Sequence, residues 1–215
     1  MSMTTEIAAI QILATWFSPA YPVGSYSYSH GLEWAIAAGE VRDAPTLEAW
    51  TRDVAAFGAG RTDAILLRLA HAAPDPAPLA ELAAALAPSA ERLLETTAQG
   101  AAFARVTAAA WEIDLPPLPY PVAVGRAAGL LGLPAGLTAT LHLQAFAAAI
   151  VSAGVRLVPV GQTDGQRITA RLLPLAARIA AETEGLGAED LGGSALRADL
   201  AAMRHETLET RLYRS

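Results

Sequence analysis

Ala127-Ala128-Gly129-Leu130-Leu131-Gly132-Leu133-Pro134-Ala135-Gly136-Leu137-Thr138-Ala139-Thr140-Leu141-His142-Leu143-Gln144-Ala145-Phe146-Ala147-Ala148-Ala149-Ile150-Val151-Ser152-Ala153-Gly154-Val155 is a run of 29 residues without one Asp, Glu or Arg. Its reading decides the fold, because about 20 apolar residues are enough to cross a bilayer. Gly129, Gly132, Pro134 and Gly136 interrupt the run, His142 and Gln144 sit in its middle, and much of it is alanine. Alanine and glycine suit helices that pack closely inside a protein better than helices that face lipid chains. Residues 122–155 therefore read as a pair of buried helices broken around 132–136, at the centre of a core.

Toward the N-terminus the segments on either side read as helices that wrap this pair. Ser89 is placed to cap a helix with Leu93, Thr97, Gly100, Ala104, Ala108 and Trp111 on one stripe, and Gly100 invites close approach of a neighbour. Pro116 to Pro121 and the proline-rich 72–78 are connectors, and a short helix lies between at 79–86. Asp43 and Pro45 introduce a helix bearing Leu47, Trp50, Val54 and Phe57. Gly58 and Gly60 interrupt it, Ile65, Leu66 and Leu69 resume it, and Asp63 reads as a carboxylate at the restarted N-terminus. Ser29 reads as the cap of a short helix with Leu32, Ala35 and Ile36 on one side and Gly39 at its end. The first helix, 5–17, places Ile7, Ile10, Ala14 and Phe17 on one face with Thr4 as its cap.

Toward the C-terminus, Pro159 and Gly161 end the core pair, and Thr163-x-x-Gln166 has the form of a capping box. Ile168, Leu172, Leu175 and Ile179 continue the new helix, with Pro174 predicted to kink it. Residues 182–194, acidic and glycine-rich, read as a mobile loop. Ser194 caps a last helix with Leu196, Leu200, Met203 and Thr207 on one face. A tail rich in charge follows at 204–215.

Composition narrows the classes of function. The 215 residues contain no cysteine and 53% are hydrophobic, so a large core is available without disulfides or thiolate metal sites. All 15 basic residues are Arg, which excludes a Schiff-base or phosphate-loop lysine. A net charge of −6 with no basic run argues against nucleic acid, and nothing resembles a secretion signal, so the cytoplasm is the expected compartment. Strand-like alternation is almost absent. The fold class is all-α, a single helical-bundle-like domain of about eight to ten helices over 1–215.

Tests for reaction chemistry give little. His205-Glu206 opens like a zinc-protease helix, but residue 209 is Glu where the second His is required. His30, His71, His142 and His205 have no chelating spacing, so a metal site needs long-range assembly. Ser29-His30 puts a hydroxyl beside an imidazole, yet neighbours on a helix point about 100° apart. Three tyrosines, Tyr21, Tyr26 and Tyr28, either pack the loop 18–33 on the core or mark a binding surface. The tail residues Arg211, Leu212, Tyr213 and Arg214 favour binding, because Tyr and Arg most often anchor interfaces.

Three separated runs, Ser18-Pro19-Ala20-Tyr21-Pro22-Val23-Gly24-Ser25-Tyr26-Ser27-Tyr28-Ser29-His30-Gly31-Leu32-Glu33, Arg156 to Arg167 and Met203 to Ser215, together with Ala98-Gln99-Gly100, closely resemble the urease accessory protein UreF family. The resemblance runs from about residue 10 to the end. It implies an all-α, non-catalytic protein that helps load nickel into apo-urease by bridging UreD (also called UreH) and the GTPase UreG, commonly as a dimer. It also implies no membrane and no tightly held cofactor, the nickel being handled by the assembly. The residues it marks as partner-facing are Pro22, Gly24, Tyr26, Ser27, Tyr28, Gly31 and Glu33 in the first run and His205, Glu206, Arg211, Leu212, Tyr213 and Arg214 in the last, with 204–215 a docking tail. Arg156, Gln162 and Gln166 belong to the middle run. Family members often carry Phe at the positions of Tyr26 and Tyr213, so a hydroxyl there calls for water or an acceptor. Two other functions stay open: a small-molecule hydrolase using Ser29 and His30, and a direct nickel-carrying metallochaperone.

Overall fold

The computed structural model describes residues 3–214, with side chains from residue 6; the Thr4 cap lies outside the described side chains and Ser215 outside the described residues. Among these residues there are ten α-helices: α1 Met3–Trp16, α2 Leu32–Ala37, α3 Ala44–Phe57, α4 Ala59–Ala72, α5 Ala77–Ala85, α6 Ala90–Trp111, α7 Tyr120–Leu130, α8 Ala135–Leu157, α9 Gln162–Glu182 and α10 Leu196–His205. Short 3-10 turns at Ser25–Ser27 and Ala188–Asp190 complete the order. No described residue is in a strand.

The apolar run forms α7 and α8, as its glycines and alanines require. α7 lies along α4, and a Cβ at Gly125 or Gly129 would overlap the carbonyls of Leu67 and His71, so the two backbones approach to a distance only glycine allows. α8 packs against α9, α4 and α3. It is long and apolar enough to cross a membrane, but half of its most apolar window is buried inside the protein. Trp16 and Phe103 meet edge to face at 5.2 Å, fully buried, and tie α1 to α6.

The buried faces of α3 and α9 are those expected, with Leu47, Trp50 and Val54 on one and Ile168, Leu172, Leu175 and Ile179 on the other; α9 runs through Pro174 as helix. Asp43 and Thr46 make a reciprocal capping box, Ser89 accepts from the Arg92 amide at 3.2 Å, and Gly100 lies against the carbonyl of Leu118. Other faces differ. On α1, Ile7 and Ile10 are exposed while Ala9, Leu13 and Trp16 are buried, and Phe57 projects into solvent at the end of α3. On α6 the buried face is Arg92, Glu95, Gln99, Gly100, Phe103, Ala104 and Thr107, one position round from the expected stripe. The inward polar residues satisfy one another there, which removes the cost of burying them. On α10, Leu196, Leu200 and Met203 are exposed and Ala198, Ala201, Ala202 and His205 are buried.

Three caps also differ. α9 begins at Gln162 with Gly161 at the N-cap, which puts Thr163 inside the first turn. Ala195, not Ser194, precedes α10, and the Ser194 and Ala195 amides both donate to the Phe57 carbonyl, at 2.7 and 3.1 Å. Asp63 is the fifth residue of α4 and turns inward, 3.8 Å from His142. The segment 182–194 lies along α4, where Arg61 donates to the Asp190 carbonyl and Thr62 to that of Gly192.

Candidate partner interface

The loop that precedes α2 is bent by two consecutive residues of positive φ, His30 at 56° and Gly31 at 72°. Gly31 has a reason to be glycine beyond its torsion. A Cβ there would stand 2.7 Å from the Ala202 amide nitrogen of α10, so the close fit of α10 depends on its absence. Small residues on α10 serve the same contact, which explains why its alanines rather than its leucines face inward. Ser29 does not occupy the cap position, taken by Gly31, but its hydroxyl accepts from the Glu33 amide at 3.3 Å.

This fit brings three helix ends together. Glu33 stands in the first turn of α2, Glu91 in the first turn of α6, and His205 in the last turn of α10. Carboxylates at helix N-termini are favoured by the peptide dipoles. The His205 ring is fully buried between the two acids, Nε2 at 3.1 Å from Glu33 and Nδ1 at 2.6 Å from Glu91. Each ring nitrogen thus meets one carboxylate oxygen.

Beyond His205 the tail turns back over this site. The Leu212 and Tyr213 amides donate to the Glu33 carboxylate at 2.8 and 2.9 Å, Arg211 donates to Glu91 at 2.6 Å, and the Arg214 amide donates to the Ser27 carbonyl at 2.8 Å. Glu206 accepts from the Ala90 amide at the start of α6. The first and last motifs thus form one surface. On it, Tyr213 is buried at 6% exposure while Leu212 is 76% and Tyr26 71% exposed. Pro22 is exposed, Tyr28 is buried, and Gly24 takes the left-handed conformation that starts the Ser25–Ser27 turn. Tyr21 is buried and bonds Thr107 at 2.7 Å.

On the other side of the loop lies a groove of about 490 Å³ between α1, the loop and α8. Tyr26, Tyr28 and Arg156 line it, so the middle motif reaches the same region through Arg156; Gln162 and Gln166 are exposed at the start of α9, outside it. At its inner end His30 faces Glu95 at 3.3 Å and Arg92 at 3.4 Å, and Arg92 bonds Glu95. Burial alone would raise the Glu95 carboxyl, but Arg92 and His30 outweigh it and hold it at about 2. Burial, helped by Arg92, pushes the His30 imidazole below its usual range. Burial raises the Tyr120 phenol, which lines the groove beside His142. The His30 ring is engaged with α6 and the Ser29 hydroxyl with Glu33, so these two side chains serve different contacts. Among the described residues no three His, Asp or Glu are grouped to hold a metal ion.

Glu91, Arg92 and Glu95 escaped the sequence reading, as did the approach of Asp63 to His142. The available signal was the charge of Glu91, Arg92 and Glu95 in the first two turns after the Ser89 cap, on a helix rich in alanine.

The class these features define is an all-helical protein whose two chain ends are joined into one surface, with Tyr and Leu side chains directed outward. The UreF family model matches residues 41–173. The urease accessory protein UreF of Cereibacter sphaeroides strain KD131 is 58% identical over 208 residues, covering 97% of this chain and 99% of the relative. That of Ruegeria pomeroyi is 48% identical over 221 residues with both chains fully covered, and that of Roseobacter denitrificans is 47% identical over 99% of this chain and 96% of the relative. The chain belongs to the UreF family of urease accessory proteins.

Proposed function

We propose that this protein is a scaffold for nickel insertion into apo-urease, bridging UreD (UreH) and the GTPase UreG in the cytoplasm, with two copies of the chain in the assembly. Nickel is the cargo of that assembly and not a resident ligand of this chain. The observation that carries the reading is the folded tail: it is anchored by backbone and charge contacts that leave Tyr26 and Leu212 outward. Large apolar and aromatic side chains held outward on a rigid frame are what an interface hot spot needs. Deleting 204–215 should abolish co-purification with UreD while the helical circular dichroism remains. Retained binding by the truncated chain refutes docking through the tail.

A further inference from the structure

Glu33 and Glu91 hold the tail in different ways. Glu33 meets the His205 ring and, from the tail beyond it, receives only the backbone N–H groups of Leu212 and Tyr213. Every residue but proline has such a group, so this contact is blind to which residue supplies it. Glu91 receives side chains, with Oε2 on His205 and Oε1 on Arg211. One carboxylate thereby ties the end of α10 to a residue six positions on, and the contact needs a donor side chain at both places.

The register matters because the last residues alternate: Leu212 is exposed, Tyr213 is buried and Arg214 is exposed. The consecutive amides of Leu212 and Tyr213 both reach the Glu33 carboxylate, so the chain bends here, and a shift by one residue would put Leu212 or Arg214 in the place of Tyr213. A shifted tail would break the pairing of the Leu212 and Tyr213 amides with Glu33, bury Leu212 or Arg214, and turn Tyr213 outward. We propose that Glu91, which lies in none of the sequence motifs, is the positioning residue that sets the register of the C-terminal tail on the loop, and so decides which side chains the surface presents. Glu206, on the Ala90 amide, fixes where the tail leaves α10 but does not read its sequence.

The test is amide hydrogen exchange of the full-length free chain, which is independent of any partner and so of the scaffold reading above. Glu91→Ala should speed exchange at Leu212 and Tyr213 by about tenfold or more, with α8 amides unchanged, since a charge-assisted bond is lost from a locally opening segment. Arg211 is largely exposed, so Arg211→Ala tests the same contact without risk to the core, and should speed the same amides by about fivefold. The double variant should exchange no faster than Glu91→Ala alone, as expected when one variant already removes the shared contact. Unchanged exchange at 212 and 213 in Arg211→Ala, or effects that multiply in the double variant, overturns the proposal. So does faster exchange confined to the first turn of α6, which would make Glu91 a helix-end residue only.

Discussion

Two charged clusters leave the first two turns of α6. Glu91 reaches across a gap in the chain to His205 and Arg211, while Arg92 and Glu95 turn inward to His30. Both tie a distant segment to α6, but they differ in what lies beyond. The inner cluster is buried at the inner end of the groove, with the His30 ring against Phe146 of α8, and each member is the condition for burying the others. The outer cluster carries only a short tail, with Arg211 partly in water. The same residue types therefore stabilise the fold in one place and position a movable segment in the other. Burial and the amount of chain attached decide between these roles.

The largest expected effect comes from the inner cluster. Glu95→Ala leaves Arg92 buried without its partner, a defect of about 3–5 kcal/mol. For a chain of this size that lowers the melting temperature by roughly 10 °C, as about 2–4 °C accompanies each kcal/mol. A thermal melt within 3 °C or so of the unaltered protein would show that the cluster is not a structural unit.

Acid should separate the clusters next. Glu95 sits at about 2 in the folded chain against 4.5 ordinarily, so its contribution is fully present above pH 4.5 and lost as pH falls toward 2. His30 is lowered from 6.5, so its contribution too is present above that value and declines as pH falls below it. Both signs agree: stability should fall as pH drops from 7, more steeply below 4.5, and urea midpoints measured from pH 8 to 4 report it. A flat profile would contradict the arrangement around His30.

In the outer cluster, Glu33→Ala removes the acceptor of two tail amides and of His205. Hydrogen bonds to charged groups are worth about 1.5–3 kcal/mol each, so the tail should detach while α8 amides keep their protection, which exchange mass spectrometry resolves. Loss of protection throughout the chain would place Glu33 with the inner cluster instead. The smallest effect expected is Tyr213→Phe. The Tyr213 hydroxyl is buried with no hydrogen-bond partner among the described residues, so its removal should stabilise the docked tail by about 1 kcal/mol and slow exchange there. Faster exchange would mean that the hydroxyl holds the tail.

Much of the fold was legible because helix period and punctuation agreed. Asp43 with Pro45, and Ser89 before α6, announced their helices, and α3 and α9 bury the large residues that their spacing marks, Phe57 excepted. The pattern misled where small and large apolar residues compete for the same contact. On α10 the leucines were the stronger hydrophobic signal, yet Gly31 admits only a helix with alanines at the crossing, so Leu196, Leu200 and Met203 face out. On α6, Arg92, Glu95 and Gln99 lie off the stripe that the spacing marks and are buried. Charge alone argues for solvent, and only the third dimension supplies His30 as the partner that reverses it. The candidate surface was half legible for a similar reason. Each end of the chain carried its own motif, but Glu91, which joins them, stands far from both in sequence.

The most direct test of a single surface built from both chain ends is co-purification with UreD of the double variant Tyr26→Ala, Leu212→Ala. Both side chains are mostly exposed, so stability should change by about 0.5 kcal/mol or less. The account predicts that UreD capture falls by about tenfold or more at unchanged melting temperature, as loss of interface anchors does. Capture equal to that of the unaltered protein would contradict it.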